Sequence, residues 1–523
     1  MVVVALSVIL TLLPIVVIVL LMTWKQLAAD LSGLAGWFLT FLIAILFFHT
    51  SVEVGLRASL AGFISSFPVS IMVLVSIFQI TFMESTGAIK RITVFVKTLA
   101  SSNKAVQIML INVGAGTLLV SVGATPVSVL PPILLALGYS TFVAIALPAL
   151  GFDALCTFSL LGAPLVVYSD LTGVPLVQAA QVFAAYLPVV STLIGFGMLW
   201  IVGGTKLMKE GFFPCLLAGL TNGGVAVAMG YIPFLSSGVV LTGVIAGACT
   251  IMVMLLYLRV LGKPIIDRDK LTKEDLLTER SMSLVRALSP WLILVGALFV
   301  VNFYPPLHEF FFKQMEMAVS VIPGQIIKTR MLWNAYTWVL VSTVVAAIFL
   351  KPTGNQVKYT INKGLKRALR PAFSAAIFFA IGFVMNNTGL ENVAGKWQVV
   401  NPDYNMIWVL AQGSAEYFGS LYPLVTAPLG LFGGFISGSE ASTVAMFAKY
   451  NLITSDLLKV NPLIVTAATA IGGGLASVIS PAKLQNAAAT IDALGEETKV
   501  IKTAFVISLV ITAVTAVLCF LMA

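Results

Sequence analysis

Long apolar runs recur along the whole chain, from residues 3 to 22 near one end to residues 503 to 522 near the other. A helix needs about 20 apolar residues to cross the roughly 30 Å hydrocarbon core of a bilayer, and these runs reach that length. Every backbone N–H and C=O inside the bilayer needs an internal partner, and runs without strict alternation favour helices over a β-barrel. The sequence therefore predicts an all-α, polytopic membrane protein with about 11 to 14 transmembrane helices.

The composition and charge agree with a protein that lipid surrounds. Hydrophobic residues make up 59% of the chain and charged residues only 10%, whereas a soluble domain carries about 25% charged residues. The net charge of +9 comes from Lys and Arg in short segments between apolar runs, which is typical of the positive-inside rule and gives no reason to expect nucleic acid as a partner. The four cysteines are scattered singly, and no P-loop, catalytic triad or metal-ligand cluster is present, so we expect neither a cofactor nor an enzyme.

Two charged connections organise the chain. Residues 263 to 286 and 351 to 370 are rich in Lys and Arg, so both are expected on the cytoplasmic side. The group Lys90, Arg91, Lys97 and Lys104 is expected on the same side, which would leave the N-terminus outside. We predict a first membrane half over residues 1–260, a charged cytoplasmic linker over 261–287 and a second membrane half over 288–523.

Each half contains a hairpin broken by glycine and proline, followed by a second broken span. The blocks lie near residues 114–168, with GAGTLLVSVGATPVSVLPPILLALG and ALPALGFDALCTFSLLGAPLVVYSDLTG, and near 428–492, with GLFGGFISGSEASTVAMFAKY and ATAIGGGLASVISPAKLQNAAATIDALG. Glycine and alanine also serve close packing of straight helices. Four broken segments in matching order nevertheless indicate a duplicated transporter with a binding site near the midplane.

The predicted breaks favour an anion as the ligand. A helix that starts inside the membrane exposes free N–H groups and the positive end of its dipole. Where such helix ends meet, they can bind a carboxylate. Hydroxyl and amide side chains in the breaks are candidate ligands for the same anion, namely Thr125, Ser128, Ser437, Ser439, Ser442, Thr443, Ser480, Gln485 and Asn486.

Among the ionisable residues, Lys483, Glu440 and Asp153 stand out at membrane depth, where a charge costs at least about 2.5 kcal/mol. Lys483 is predicted to hold the substrate carboxylate. Glu440 and Asp153 are predicted to carry a coupling proton. A structural alternative stays open for each, because Glu440 could pair with Lys483 and Asp153 could cap a half-helix.

At these residues the sequence resembles the L-lactate permease family. The similarity is carried by GGFISGSEASTVAMFAKY and TAATAIGGGLASVISPAKLQNAAATIDALGEE, and more weakly by ATPVSVLPPILLALGYSTFVAIAL and GAPLVVYSDLTG. It implies a proton-coupled symporter for a monocarboxylate such as L-lactate or glycolate, in the plasma membrane of a prokaryote. It also implies two inverted repeats, each with a re-entrant hairpin and a broken helix, in a mobile transport domain beside a scaffold, which would work by elevator-like alternating access.

Two departures from the family pattern leave alternatives open. The first hairpin reads LLVSVGATPVS without an acid, and Lys483 stands where the pattern is uncharged. Both changes make the site more positive, so a dicarboxylate or a sulfonated acid is the alternative substrate. A passive anion channel or an ion exchanger is the alternative mechanism, Na+ is the alternative coupling ion, and a homodimer is left open.

Overall fold

The computed structural model describes residues 2–99, 103–269, 271–393 and 396–523. This part of the chain is mostly helical, and thirteen of its helical segments are long and apolar enough to cross a membrane. The predictions of an all-α polytopic protein and of 11 to 14 crossings are confirmed. Two short antiparallel pairs are the only strands among the described residues, formed by β1 Ala318–Val319 with β2 Ile327–Lys328 and by β3 Leu390–Val393 with β4 Lys396–Val399.

Fifteen helices precede the charged segment 261–287. They are α1 Val2–Thr23, α2 Ala29–Leu46, α3 Val52–Ser65, α4 Phe67–Ser85, α5 Ala88–Lys97, α6 Lys104–Ile108, α7 Gly116–Ser121, α8 Pro126–Ala136, α9 Thr141–Gly151, α10 Ser159–Thr172, α11 Leu176–Ala185, α12 Leu187–Glu210, α13 Phe212–Tyr231, α14 Pro233–Ser236 and α15 Thr242–Val260. A π-helical turn, Met109–Ala115, joins α6 to α7, and a 3-10 turn, Phe152–Phe158, joins α9 to α10.

Among the described residues, eleven further α-helices come after α15, and the first of them lies within the charged segment. They are α16 Lys273–Ser281, α17 Leu284–Phe303, α18 Pro305–Glu309, α19 Ala335–Leu350, α20 Gly354–Asn386, α21 Met406–Phe418, α22 Tyr422–Ser437, α23 Glu440–Leu458, α24 Pro462–Leu475, α25 Pro481–Ala489 and α26 Glu497–Met522. A 3-10 turn, Ala476–Ile479, joins α24 to α25.

The first block folds as a hairpin and a broken helix. In the first hairpin, α6 and α7 run to a turn at residues 122–125 and α8 returns. Gly123 has a φ of +85° in this turn, and a Cβ there would lie 2.7 Å from the Met72 side chain, so only glycine fits without strain. The first broken helix consists of α9, the turn Phe152–Phe158 and α10, and its backbone adopts the left-handed region at Leu160 and Leu161.

The second block repeats this order. In the second hairpin, α22 and α23 meet at Gly438, whose φ is +67°. The second broken helix consists of α24, the turn Ala476–Ile479 and α25. Glycines bring α22 and α24 close together, because a Cβ at Gly434 would lie only 2.1 Å from the Gly473 carbonyl oxygen.

The basic segments gather at one end of the helix bundle, defined here as the basic end. Arg367 pairs with Glu84 at 2.8 Å, and Arg370 pairs with Asp30 at 2.7 Å. Helix α16, within the predicted linker, does not stand free in solvent. It docks on α5, where Lys97 lies 2.9 Å from Asp275. The division of the chain into two halves with a linker stays a prediction.

The two hairpins open toward opposite ends of the bundle. The first opens toward the basic end, where the Tyr139 hydroxyl donates to Gln107 at 3.0 Å and the Gln107 amide donates to the Leu99 carbonyl. The second opens toward the other end, where the Lys449 ammonium donates to the Asn386 carbonyl at 3.0 Å. This arrangement agrees with what an inverted repeat requires, although the two-fold relation itself stays a prediction.

Candidate functional site

A cleft of about 500 Å³ runs from the basic end to the breaks of both hairpins and both broken helices. We call it the central cleft. One wall carries the breaks, and the other is formed by straight parts of α4 and α20, which contribute Val73 and Ser374. The predicted site residues that line it are Thr125, Ser128, Ser437, Ser439, Glu440, Ser480, Lys483 and Asn486.

Three helices begin at the central cleft, and their N-cap residues are Thr125 for α8, Ser439 for α23 and Ser480 for α25. Ser439 accepts a hydrogen bond from a backbone N–H of its own helix, but the side chains of Thr125 and Ser480 do not. The first-turn N–H groups of α8 and α25 are therefore free of side-chain caps, and the dipoles of all three helices direct positive potential at the cleft. Such a group of helix ends suits a carboxylate.

Two hydrogen bonds join the first block to the second across the cleft. The Asn486 amide nitrogen donates to the Ser128 hydroxyl at 2.9 Å, and Ser128 is also bonded to Thr125 at 2.8 Å. The Thr157 hydroxyl donates to one carboxylate oxygen of Glu440 at 2.8 Å. The breaks of the two blocks are thus in direct contact and line one cleft.

Lys483 is a cation without an acidic partner. Its ammonium lies 3.6 Å from the centre of the Phe152 ring and donates to the Ser477 hydroxyl. Among the described residues it forms no ion pair within 4.0 Å, so it is not paired with Glu440. A cation–π contact and one neutral acceptor leave this charge available to an anion in the cleft.

The two buried acids differ in their access to the central cleft. Glu440 is 3% exposed and lines the cleft, and its second carboxylate oxygen has no hydrogen-bond partner among the described residues. Asp153 is equally buried but lies behind the cleft wall, near Ser477. Neither of its carboxylate oxygens has a hydrogen-bond partner of normal geometry among the described residues, and its side chain does not cap a helix. Both acids are close enough to Lys483 for their charges to interact.

Three other predicted ligands also lie away from the cleft. Thr443 is buried against Gly473, and its hydroxyl donates to the Ser439 carbonyl at 2.9 Å. Ser442 is fully buried beside it. Gln485 is exposed on a face of α25 that does not border the cleft. Helical periodicity separates these positions from neighbours that do line it.

The structure adds residues that sequence reasoning missed. Phe152, Cys156 and Ser159 line the central cleft, and their place beside Asp153 in GFDALCTFS is a signal that could have found them. Arg367 and Arg370 border the mouth of the cleft, but α20 is an unbroken helix there and its sequence gives no sign of a site.

The broken helices, the membrane-length segments and the polar cleft between them together define a multi-pass membrane transport protein. The family model described as L-lactate permease matches residues 7–523. The chain therefore belongs to the L-lactate permease family, and it is a permease and not an enzyme. The predicted family and the predicted multi-pass membrane location are confirmed.

The relatives with curated names are bacterial and distant in sequence. The L-lactate permease of Streptococcus iniae is 23% identical over 465 residues, which cover 87% of this chain and 92% of that protein. Glycolate permease GlcA of Escherichia coli K12 is 23% identical over 563 residues, covering 99% and 96%. The solved structure of Neisseria gonorrhoeae MtrF, described as an antimetabolite efflux pump, aligns with 89% of this chain and 83% of its own, with a TM-score of 0.40 and 14% sequence identity.

Proposed function

We propose that the protein is a secondary active transporter that carries a small monocarboxylate, such as L-lactate or glycolate, together with a proton. The observation that carries the proposal is the central cleft, where three helix N-termini meet the unpaired ammonium of Lys483. Relatives that are named L-lactate permease and glycolate permease support this class of substrate.

The cleft offers a carboxylate two kinds of partner. Its oxygens can accept hydrogen bonds from backbone N–H groups at the starts of α8 and α25 and from the Lys483 ammonium. The substrate hydroxyl then faces Ser128 and Asn486, which line the same cleft. The volume of about 500 Å³ leaves ample room for a substrate of a few heavy atoms together with water.

The charges around the cleft provide a reason for proton coupling. Lys483 contributes one positive charge, while Asp153 and Glu440 contribute two negative charges when both are ionised. An arriving anion would then meet a net negative region, which Coulomb repulsion disfavours. Protonation of one acid makes the region neutral, so anion binding and proton binding favour one another. Glu440 is the better carrier because it lines the cleft and has a carboxylate oxygen without a partner.

The walls of the cleft support an elevator-like movement. All the groups that would hold the anion belong to the two hairpins and the two broken helices. Helices α4 and α20 contribute apolar and hydroxyl side chains beside the breaks, and the charges of Arg367 and Arg370 are already paired with Glu84 and Asp30. Substrate held by the breaks can therefore travel with them along α4 and α20 while its ligands stay in place.

Uptake of labelled L-lactate into proteoliposomes tests this proposal. An acid exterior should drive accumulation, and a protonophore should abolish it. Glu440→Gln should lose the response to the pH gradient but keep exchange of L-lactate for L-lactate. Glu416→Gln is the matched control, because Glu416 is exposed and bonds only Gln412 among the described residues. Uptake by the wild type that follows Na+ instead of pH overturns proton coupling, and downhill flux indifferent to both gradients indicates a passive channel.

A dianion is the second candidate substrate, which the Lys483 ammonium and the helix N-termini would favour when Asp153 and Glu440 are both protonated. Competition against the uptake of labelled L-lactate distinguishes the two substrates. If malonate or a sulfonated acid inhibits this uptake at a lower concentration than unlabelled L-lactate does, the dianion is the preferred substrate.

A further inference from the structure

A second cavity, of about 320 Å³, lies at the end of the bundle opposite the basic end. We call it the distal cavity. It is enclosed by the end of α10, the end of α20, the middle of α23 and the strand-containing loop around Ile326. Its polar and charged lining includes Asp170, Gln325, Lys328, Asn386, Asn387 and Lys449.

Lys449 is the one cation in the described lining of the distal cavity that has no acidic partner. Its side chain is exposed to the cavity, and its ammonium donates to the Asn386 carbonyl at 3.0 Å. The neighbouring charges are already paired. Asp170 lies 2.7 Å from Arg330, and Lys328 lies 3.2 Å from Glu316. Arg330 also lies 3.3 Å from Glu316, so three cations face two acids and one positive charge is uncompensated.

Lysine is rare within membrane-embedded helices and is usually paired there, so the lack of an acidic partner for Lys449 on α23 requires an explanation. Asn386 ends α20, so its carbonyl has no partner within the helix and lies at the negative end of the helix dipole. It accepts hydrogen bonds from the Lys449 ammonium at 3.0 Å and from the Asn405 side-chain amide at 3.1 Å. The contact with Lys449 satisfies one of the three ammonium donors. The other two remain for a ligand in the cavity, where the side chains of Gln325 and Asn386 supply further polar groups.

The position of Lys449 relates the distal cavity to the central cleft. Lys449 and Glu440 lie on the same helix, α23, nine residues apart, which is about 13 Å along the axis. Helix α23 therefore presents a buried acid at the end of the central cleft and a free cation in the distal cavity. Lys449 therefore lies on the side of the breaks that faces away from the basic end.

We propose that the distal cavity is a second binding site for the small carboxylate, with Lys449 as its charged ligand. The choice of a carboxylate rests on the proposed function, whereas the anionic nature of the ligand follows from the uncompensated charge. The site is on the path of the substrate but outside the breaks, so it takes up substrate from one face of the membrane only.

Right-side-out and inside-out membrane vesicles test the site, because each exposes one face to labelled L-lactate. Lys449→Gln should raise the KM about tenfold or more at the face of the distal cavity, as loss of a charge-assisted hydrogen bond does, and should leave the KM at the basic face unchanged. Lys449→Arg should keep most of the affinity. Lys459→Gln is the control, since Lys459 is exposed at the end of the same helix and pairs with Asp456.

A second pair of variants does not disturb the contact of Lys449 with α20. Ile326 borders the distal cavity and is 64% exposed, so a charge is tolerated there. Ile326→Glu should raise the KM at that face and Ile326→Lys should lower it.

Three outcomes would contradict the distal binding site, and only the first of them also contradicts the proposed transport function. If the wild-type protein transports no carboxylate, both the proposed function and the assignment of a carboxylate to the distal cavity are wrong. A wild type that transports L-lactate, with Lys449 and Ile326 variants of unchanged KM at both faces, removes the distal site alone. Lower thermal stability of Lys449→Gln with an unchanged KM would assign Lys449 to capping α20 and nothing more.

Discussion

Replacement of Lys483 by methionine should weaken the binding of L-lactate by roughly 10- to 150-fold. The variant loses one charge-assisted hydrogen bond to the carboxylate, which contributes about 1.5–3 kcal/mol, and each 1.4 kcal/mol is a factor of ten in affinity. Methionine keeps the length of the side chain and its contact with the Phe152 ring, 3.6 Å from the native ammonium. The folded protein should not lose stability, because an unpaired cation at this depth is itself unfavourable.

Calorimetric titration of the purified protein with L-lactate measures this affinity, and a thermal melt without ligand measures stability. Lys483→Arg should retain most of the binding, because the charge remains. Lys502→Met is the control for the loss of a lysine outside the central cleft, since Lys502 is exposed on α26. A Kd for Lys483→Met within twofold of the wild type would refute the role of this ammonium in the site.

Two further predictions concern stability. Gly434→Ala places a Cβ 2.1 Å from a backbone oxygen of α24 and should lower the free energy of unfolding by about 1–3 kcal/mol. In the control variant Gly296→Ala the new Cβ meets nothing within 4 Å, so the free energy of unfolding should stay the same or rise by up to about 1 kcal/mol. Equal melting temperatures for the two variants would contradict the close packing of α22 on α24. Burial alone would raise the pKa of Asp275, but hydrogen bonds from Thr272 and the Lys97 ammonium lower it below 3.8 overall. This carboxylate therefore stabilises the folded state above that value and ceases to do so as the pH falls through its lower folded pKa. Asp275→Asn should destabilise by about 1 kcal/mol equally at pH 7 and about pH 5, and a penalty that already vanishes by pH 5 would contradict the lowered pKa.

The sequence singled out two blocks, 114–168 and 428–492, whose assignment as paired hairpins and broken helices of a repeat stays a prediction. The turns at 122–125, 152–158, 438–439 and 476–480 all lie inside the two predicted blocks, because glycine, proline and polar residues have few other uses within an apolar span. Composition and run length were sufficient for the all-α membrane fold. Both are local properties of the chain.

The sequence was less informative about which side chains face the cleft. Ser442 and Thr443 lie only two or three residues beyond Ser439, yet they are buried against other helices. Their direction depends on where α23 begins and on what packs against it, which residue type does not reveal.

Long-range packing was beyond prediction for the same reason. The contribution of Arg367 and Arg370 to the cleft mouth depends on how α20 lies beside the breaks, and the docking of α16 depends on the distant pair of Lys97 and Asp275. No local pattern encodes these contacts.

Thermal unfolding of the purified protein with L-lactate, compared with the uncharged amide of the same acid, tests most directly whether the breaks surround an anion. Ligand at a hundred times its Kd stabilises the folded state by about 2.7 kcal/mol, so L-lactate should raise the Tm clearly and lactamide should not. An equal shift with both compounds, or no shift with L-lactate, glycolate, dicarboxylates or sulfonates, would contradict an anion site at the helix ends.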